Sequence, residues 1–178
     1  MLLRLRLLLK RPMDPRHPRP SPASAVPIDG TPPFVSFRTA DPADLPAIRT
    51  LLSDAALPLD GADQAFEQGV VAVADGVVVG AAAVERYGTD GLLRSVVVDP
   101  GLRSTGVGRA LVASAEALAS GLGIRDLYLL TESAVEWFPG LGYAVLDRAS
   151  APDGIAGSWE FRFACVERGI LMRRSLDN

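Results

Sequence analysis

Residues 92–121 read LLRSVVVDPGLRSTGVGRALVASAEALASG, and this stretch decides the fold. The run Leu92–Val98 is apolar almost throughout, which predicts a central strand buried on both faces. Asp99-Pro100-Gly101 then ends the strand, since proline lacks an amide donor and glycine permits a turn. Residues 107–121 carry apolar side chains at helical spacing and stop at a glycine. The sequence therefore predicts a strand, a glycine-rich loop and an amphipathic helix in succession.

The loop between that strand and helix, RSTGVGR from Arg103 to Arg109, is suited to bind an anion. Gly106 and Gly108 lack a Cβ, so a ligand can approach their amides closely. These amides open a helix, have no carbonyl partner and lie at its positive end. The two arginines add positive charge. The spacing matches neither a Walker loop nor a full dinucleotide fingerprint, and the glycines could instead serve only close packing of helix and strand.

Short apolar runs on both sides of residues 92–121 predict further strands and helices. Asp75-Gly76 between two valine-rich runs is a strong hairpin signal. Asp41-Pro42-Ala43-Asp44 is typical of a helix start. Residues 87–91 are expected to form a loop. The predicted strands are Phe34–Arg38, Val70–Ala74, Val77–Val84, Leu92–Val98, Asp126–Thr131, Tyr143–Asp147 and Ile170–Arg174. The predicted helical segments begin at Asp41 or span Asp60–Gln68, Val107–Gly121, Ala134–Leu141 and Ser158–Phe163.

The composition limits the chemistry that the chain can perform. Its 178 residues suffice for one domain with a sizeable core. A single histidine, His17, and a single cysteine, Cys165, exclude a Ser-His-Asp or Cys-His triad in the body, an internal disulfide and a cysteine-based zinc site. The chemistry must therefore rest on carboxylates, tyrosines, backbone donors or a bound cofactor, and we expect no metal. No apolar run is long enough to span a membrane.

The charge of the chain is unevenly distributed. Residues 1–33 carry six Lys or Arg against two Asp, so they contribute +4 to a total of −3 and the remainder carries −7. This basic, proline-rich extension predicts disorder, while a short helix that touches membranes or an upstream start codon chosen in error are the alternatives. An acidic body argues against nucleic acid as a partner, and it fits either a cationic amine substrate or simple solubility.

The pattern of a valine-rich strand, Asp-Pro, Leu-Arg-x-x-Gly-x-Gly and a helix resembles motif A of the GNAT family of N-acetyltransferases. That family holds the pyrophosphate of acetyl-CoA on this loop. The resemblance covers residues 34–176, which would form one GNAT domain. It implies an α/β (α+β) GNAT fold, with a mixed, mostly antiparallel sheet flanked by helices, and acetyl-CoA as the co-substrate. The cofactor-binding residues that it implies are Val96, Val97, Val98, Arg103, Ser104, Thr105, Gly106, Val107, Gly108, Arg109, Thr131 and Phe138.

Acetyl transfer to an amine needs a proton acceptor and a donor that polarises the thioester carbonyl. In GNAT folds a free backbone amide of the bulged central strand faces the thioester, and residues 96–98 match that position. Glu85 follows the strand beside the central one, so it is the expected proton acceptor, unless it is merely a solvated residue at a strand end. Glu132, which follows the Asp126–Thr131 strand, is the second candidate.

Phe138 marks a departure from the family. Many members have a tyrosine at the matching position, four residues before a glycine, and this tyrosine protonates the leaving thiolate. Phenylalanine has no proton to donate. The thiolate would therefore leave unassisted, or with the help of water or of another tyrosine such as Tyr128 or Tyr143.

Arg94 interrupts an otherwise apolar strand, where an unpaired charge would be costly. One interpretation is that it pairs with an internal acid such as Glu85. The other is that it points into the cleft and holds a substrate carboxylate with two hydrogen bonds. Ser95 is its neighbour on the opposite face of the strand and is a further candidate for substrate binding.

Within the family, the chain resembles the small acetyltransferases found with arsenic-resistance genes, through runs such as Arg38–Pro46, Glu85–Gly88, Leu92–Ser95 and Tyr128–Thr131. This resemblance implies a cytoplasmic enzyme that acetylates a small, amino-acid-like amine, an organoarsenical included, by direct attack in a ternary complex. Cys165 alone would make a poor arsenic site, and a buried inert thiol is the expected state.

Two other functions fit the same residues. One is an acetyltransferase that acts on a protein or peptide N-terminus. The other is a sensor that binds acyl-CoA without catalysis. Many GNAT proteins dimerise, so a homodimer is possible, but no segment of the sequence marks an interface.

Overall fold

The computed structural model describes residues 34–164 and 169–177. The extension 1–33 and Cys165 lie outside the described residues, so the expectations for them stay predictions. The strands are β1 (Val35–Thr39), β2 (Gly69–Ala74), β3 (Val77–Tyr87), β4 (Asp90–Val98), β5 (Asp126–Thr131), β6 (Ala144–Val145) and β7 (Ile170–Ser175). The α-helices are α1 (Leu45–Asp54), α2 (Ala62–Ala65), α3 (Val107–Gly121) and α4 (Asp153–Ala156). Short 3-10 turns occupy Pro42–Asp44, Phe66–Gln68, Pro100–Leu102, Phe138–Leu141 and Arg148–Ser150, and a π-helical turn occupies Glu160–Ala164.

In the part of the chain that the structure describes, the strands form one sheet of seven, in the order β1-β2-β3-β4-β5-β7-β6. Neighbouring strands run antiparallel except β4 and β5, which run parallel. Helices pack on both faces of this sheet. The predicted class, a mixed and mostly antiparallel sheet flanked by helices, is confirmed.

Alternate side chains of β3 pack against the helices on the two faces of the sheet. Ala82 and Val84 are buried in the cluster that contains Leu111 of α3. Their neighbours Ala81 and Ala83 are buried on the other face, in the cluster built by the apolar side of α1. Because successive residues of a strand point to opposite faces, one apolar strand serves both layers. The core therefore lies on both sides of β3 and β4, next to the candidate site.

A capping box at Asp41 fixes the 3-10 turn Pro42–Asp44, which leads directly into α1. Asp41 Oδ1 accepts a hydrogen bond from the amide of Ala43 at 2.9 Å, and Asp44 Oδ2 accepts one from the amide of Asp41 at 2.8 Å. Arg38 donates two hydrogen bonds to Asp44, at 2.6 and 2.8 Å. The Arg38 guanidinium lowers the pKa of the Asp44 carboxyl below its ordinary value, although burial opposes the change. The expected helix start is therefore present, and an ion pair ties it to β1.

Several predicted elements have the expected bounds. The helix Val107–Gly121 and the strand Asp126–Thr131 are observed as predicted. Asp75 and Gly76 have φ angles of 49° and 79°, as the tight turn of a β2–β3 hairpin requires. The prediction of a loop over residues 87–91 was wrong. Strand β3 continues to Tyr87 and β4 starts at Asp90, so only a two-residue turn, Gly88 and Thr89, separates them.

Two predictions after β5 need correction. The helix expected over Ala134–Leu141 is only the 3-10 turn Phe138–Leu141. Pro139 explains this, since it lacks an amide proton and its ring obstructs the preceding turn of an α-helix. The strand expected over Tyr143–Asp147 is reduced to β6, because Asp147 caps the next 3-10 turn by accepting from the amide of Ala149 at 2.9 Å.

None of the helices in residues 34–164 and 169–177 has both the length and the apolar character needed to cross a bilayer.

Candidate active site

The parallel pair β4–β5 opens into a cleft. The two strands pair only from Asp90 to Leu92 on β4 and from Asp126 to Tyr128 on β5. Beyond that point β4 continues beside β3, while β5 continues beside β7. The strands thus diverge and leave a cleft of about 600 Å³ between them. Its walls come from β4, the loop and first turn of α3, β5, and the segment from Ser133 to Phe138, and Leu57 and Glu160 complete the lining.

A β-bulge lies in β4 where it borders the cleft. Ala81 pairs with Val97 and Ala83 pairs with Arg94, so Ala82 faces two residues, Ser95 and Val96. Ser95 has a φ angle of 55°, which is rare for a residue with a side chain. The bulge changes which faces the residues share: Leu93, Val96 and Val98 lie on the α3 side, and Val97 on the α1 side. Ser95 and Val96 line the cleft, and no described strand pairs with them on the β5 side.

The glycine-rich loop forms the other end of the cleft. Gly106 caps α3 with a φ angle of 94°, a conformation that favours glycine. The amides of Val107, Gly108 and Arg109 have no carbonyl one turn before them, since the helix begins there. Arg109 Nη1 donates to the carbonyl of Gly140 at 3.1 Å, which joins α3 to the opposite wall. The loop therefore presents helix-terminal amides and positive charge to the cleft.

The structure brings most of the predicted cofactor residues to the cleft. The lining residues among them are Val96, Val98, Arg103, Ser104, Gly106, Gly108, Arg109, Thr131 and Phe138. Three others do not line it. Val97 packs in the α1 cluster and Val107 in the α3 cluster. Thr105 is exposed, and its hydroxyl donates to the carbonyl of Leu102 at 2.6 Å.

Arg94 is buried, with a side chain that is 1% exposed, and it lines the cleft. Arg94 Nη1 donates to Glu85 Oε1 at 2.7 Å, and Nη2 donates to the carbonyl of Asp60 at 2.9 Å. Arg94 thus forms the ion pair with Glu85 that was one of the two interpretations of its place in the strand. The hydroxyl of Tyr87 donates to the second oxygen of Glu85 at 2.7 Å. Burial raises the pKa of Tyr87, and the hydrogen bond to Glu85 raises it further.

The two predicted acids lie outside the cleft lining. Glu85 is half-buried beneath Arg94, and Glu132 is exposed on the loop after β5. The acid that does line the cleft is Glu160, the first residue of the π-helical turn, which sequence reasoning missed. Glu160 Oε2 lies 3.1 Å from Arg94 Nη2. Burial raises the pKa of the Glu160 carboxyl, the Arg94 guanidinium opposes that change and the Glu85 carboxylate adds to it.

A lone acid between two aromatic residues, Trp159 and Phe161, was the signal that could have pointed to Glu160. Apolar neighbours on both sides predict burial, and a buried carboxyl needs a partner or a function. Trp159 lies near the same cluster, with its ring centroid 6.0 Å from the Arg94 guanidinium carbon.

Phe138 lines the cleft and is held by aromatic neighbours. Its ring is edge-on to Trp137 at 4.9 Å and to Tyr143 at 5.4 Å between centroids. Tyr128 and Tyr143 are buried and do not line the cleft, and burial raises the pKa of both hydroxyls. Among the described residues, no tyrosine hydroxyl therefore borders the cleft.

Comparison with known proteins shows which family this chain resembles. A family model described as "Acetyltransferase (GNAT) domain" matches residues 66–145. An amino-acid acetyltransferase of Pasteurella multocida (strain Pm70) is 32% identical over 81 residues, which cover 44% of this chain and 18% of that relative. Residues 66–145, which match the family model, contain β3, β4, the glycine-rich loop, α3 and β5. These elements build most of the cleft.

Solved structures share the fold. The N-acetylglutamate synthase of Neisseria gonorrhoeae, complexed with coenzyme A and N-acetyl-glutamate, matches 83% of this chain and 36% of its own chain, with a TM-score of 0.71 at 23% identity. Rv2747 of Mycobacterium tuberculosis, solved with CoA, matches 79% of this chain and 98% of its own, with a TM-score of 0.67 at 24% identity. This chain thus spans about a third of the synthase and less than a fifth of the Pasteurella relative. It has the GNAT fold, and its residues 66–145 match the model of the GNAT acetyltransferase domain.

Proposed function

We propose that this protein is an N-acetyltransferase that moves an acetyl group from acetyl-CoA to the amine of a small acceptor. The observation that carries this proposal is the shared cleft, onto which both the bulge of β4 and the N-terminus of α3 open. One end offers amides to a pyrophosphate, and the other offers a strand segment without a partner to a carbonyl oxygen. Acetyl-CoA needs both, because it carries a pyrophosphate and a thioester.

The loop at the start of α3 fits the pyrophosphate. The amides of Val107, Gly108 and Arg109 would hold its oxygens, and the Arg103 and Arg109 side chains would flank them. A Cβ added at Gly106 would meet no atom within 4 Å, so the space in front of the loop is open. The residues present therefore fit the co-substrate.

When bound, acetyl-CoA supplies a thioester whose acetyl group is activated for transfer to nitrogen. The backbone amide of Val96 at the bulge would donate to the carbonyl oxygen and stabilise the negative charge that develops there. The amine nitrogen forms the new C–N bond as the C–S bond breaks, and the thiolate departs with the electron pair of that bond. The described residues contain neither cysteine nor histidine, which supports direct transfer over a covalent acetyl-enzyme.

Phe138 cannot protonate the departing thiolate. It borders the cleft without a proton to give, and the tyrosines considered as substitutes, Tyr128 and Tyr143, are buried elsewhere. The acceptor nitrogen, however, carries a surplus proton once the C–N bond has formed. That proton passes to the thiolate, so the transfer needs no acid from the protein.

An amino-acid-like acceptor is supported by the relatives. The Pasteurella relative is an amino-acid acetyltransferase, and the Neisseria synthase was solved with N-acetyl-glutamate. The resemblance to the arsenic-resistance group adds an arsenic-bearing amino acid to the acceptors worth testing.

The test of this proposal is release of free thiol from acetyl-CoA by the full chain, with a panel of acceptors. The panel contains L-glutamate, L-arginine, an arsenic-bearing amino acid, L-alaninamide and a short peptide with a free N-terminus. We expect turnover of at least one small amine and none of the peptide. Turnover of the peptide alone would favour an N-terminal acetyltransferase. Binding of acetyl-CoA without turnover of any amine would favour a sensor.

A further inference from the structure

Glu160 is a buried acid with unused hydrogen-bonding capacity at the cleft. The residue is 9% exposed and lines the cleft. Its Oε2 lies 3.1 Å from Arg94 Nη2 in an ion pair, and it accepts no hydrogen bond from the described residues. A buried carboxylate oxygen is costly to leave unsatisfied. Because Glu160 also lines the cleft, a ligand bound there would lie beside this carboxyl group and is the nearest source of a further donor.

The hydrogen bonds of Arg94 go to groups of the protein itself. Its Nη1 already donates to Glu85 and its Nη2 to the carbonyl of Asp60. Both terminal nitrogens are thus engaged, and with a side chain that is 1% exposed, little of the guanidinium is open to a substrate carboxylate. The role of Arg94 is to hold Glu85 and Glu160 in position.

The charges around Arg94 favour a cationic ligand. Two carboxylates, those of Glu85 and Glu160, face one buried guanidinium. The uncharged hydroxyl of Tyr87 completes the set on β3. When both acids are ionised, this cluster carries one excess negative charge in a region of low dielectric constant. An ammonium group placed at Glu160 would neutralise it.

We propose that Glu160 binds the ammonium group of the acceptor and takes the proton that makes its nitrogen nucleophilic. This inference rests on the proposed function. In the step, an N–H bond of the ammonium breaks, an O–H bond forms on Glu160, and the nitrogen keeps the electron pair. Glu160 then returns the proton to solvent. Glu85, which does not line the cleft, is a positioning residue that acts through Arg94.

The environment of Glu160 suits this role. A carboxyl whose pKa is raised by burial accepts a proton more readily at neutral pH than an exposed one. As the pH falls through that raised pKa, Glu160 becomes protonated and can neither attract the ammonium nor accept its proton. The acceptor kcat/KM should therefore fall on the acidic side with a midpoint above the ordinary carboxyl value of 4.5.

The experiment uses Glu160→Gln in the full chain, since glutamine keeps the shape and loses the charge. The acceptor is the small amine that the wild type turns over fastest in the panel above. We expect kcat/KM for this amine to fall about a hundredfold or more, while the acetyl-CoA dissociation constant, measured by calorimetry, changes less than twofold. Glu67→Gln, the same change at an exposed acid outside the cleft, should leave both values unchanged.

The outcomes separate this inference from the function on which it rests. Glu160→Gln with a kcat/KM within threefold of wild type would overturn the role of Glu160 and leave the proposed function standing. Wild type that binds no acetyl-CoA, or acetylates no amine, would overturn both. Glu160→Gln could instead lose most of its activity while its residual kcat/KM still falls at low pH as in the wild type. Another group would then be the proton acceptor, and the inference would be wrong.

Discussion

Arg94 Nη1 donates a hydrogen bond of 2.7 Å to Glu85 Oε1, and this ion pair links β4 to β3 directly beneath the cleft. The Arg94 side chain is 1% exposed, so the pair depends on mutual neutralisation rather than on solvent. The same guanidinium faces Glu160, which makes it the cation that two acids share. The stability of the candidate site and its charge balance therefore rest on one residue.

Replacing Arg94 with methionine should destabilise the protein strongly. The change leaves Glu85 and Glu160 without their cation, and we expect a loss of about 3 kcal/mol in the free energy of unfolding at pH 7. Urea unfolding followed by circular dichroism measures it. Arg49→Met is the matched control, because the Arg49–Asp63 pair is about half exposed on both sides and should contribute less than about 1 kcal/mol.

Adding Glu160→Gln to Arg94→Met should restore part of that loss, since it removes one of the stranded carboxylates. An Arg94→Met variant as stable as the wild type would show that the buried cluster is not the charge-balanced unit described above.

Replacing Phe138 with tyrosine should speed the release of thiol. The added hydroxyl would border the cleft and could protonate the thiolate, so we expect kcat to rise up to about tenfold where acetyl transfer limits the rate. Thiol release across a pH series measures it, and the variant should lose its advantage at high pH as the new hydroxyl ionises. Tyr143→Phe should change kcat less than twofold, because Tyr143 is buried away from the cleft. An unchanged rate in Phe138→Tyr would mean that protonation of the thiolate is not rate-limiting.

Asp44 should make the stability depend on pH in the acidic range. Its pKa in the folded protein is lowered by the hydrogen bonds from Arg38, so the ionised form stabilises the fold. This contribution is present in full above the ordinary value of 3.8 and is lost as the pH falls through the lower pKa of the folded state. The difference in free energy of unfolding between wild type and Asp44→Asn should thus shrink on acidification. In an Arg38→Met background the difference should be smaller at neutral pH, where Asp44 is ionised, and a difference that grows on acidification would contradict this assignment.

The parts of the fold that could be predicted from the sequence are those whose signals are local. The helix Val107–Gly121 starts directly after Gly106, ends at a glycine and keeps its apolar spacing throughout, so both predicted ends were correct. Asp75-Gly76 specifies its hairpin turn by backbone preference alone. Pro139 carried an equally local signal against a helix, and its effect on Ala134–Leu141 was underestimated.

The parts of the site that were missed depend on contacts between distant segments. Glu160 is far from Arg94 in sequence, and only the packing of the π-helical turn against β4 brings their charges together. No periodic pattern marks that turn. The two interpretations of Arg94 could not be separated from the sequence either, since an arginine in an apolar strand is consistent with an internal partner and with a ligand. The structure shows the internal partner.

Calorimetric titration of the full chain with acetyl-CoA tests the central claim most directly, using wild type, Gly108→Glu and Gly121→Glu. Gly108 lies in the first turn of α3 and lines the cleft. A carboxylate added there would occupy the pyrophosphate position. It should not destabilise α3, because a negative charge is favourable at a helix N-terminus. Gly121 is at the other end of the same helix, with no atom within 4 Å of an added Cβ. We predict that wild type and Gly121→Glu bind acetyl-CoA alike and that Gly108→Glu, still folded by circular dichroism, binds at least tenfold more weakly. Folded wild type that does not bind acetyl-CoA, or Gly108→Glu that binds as well as wild type, would contradict the account.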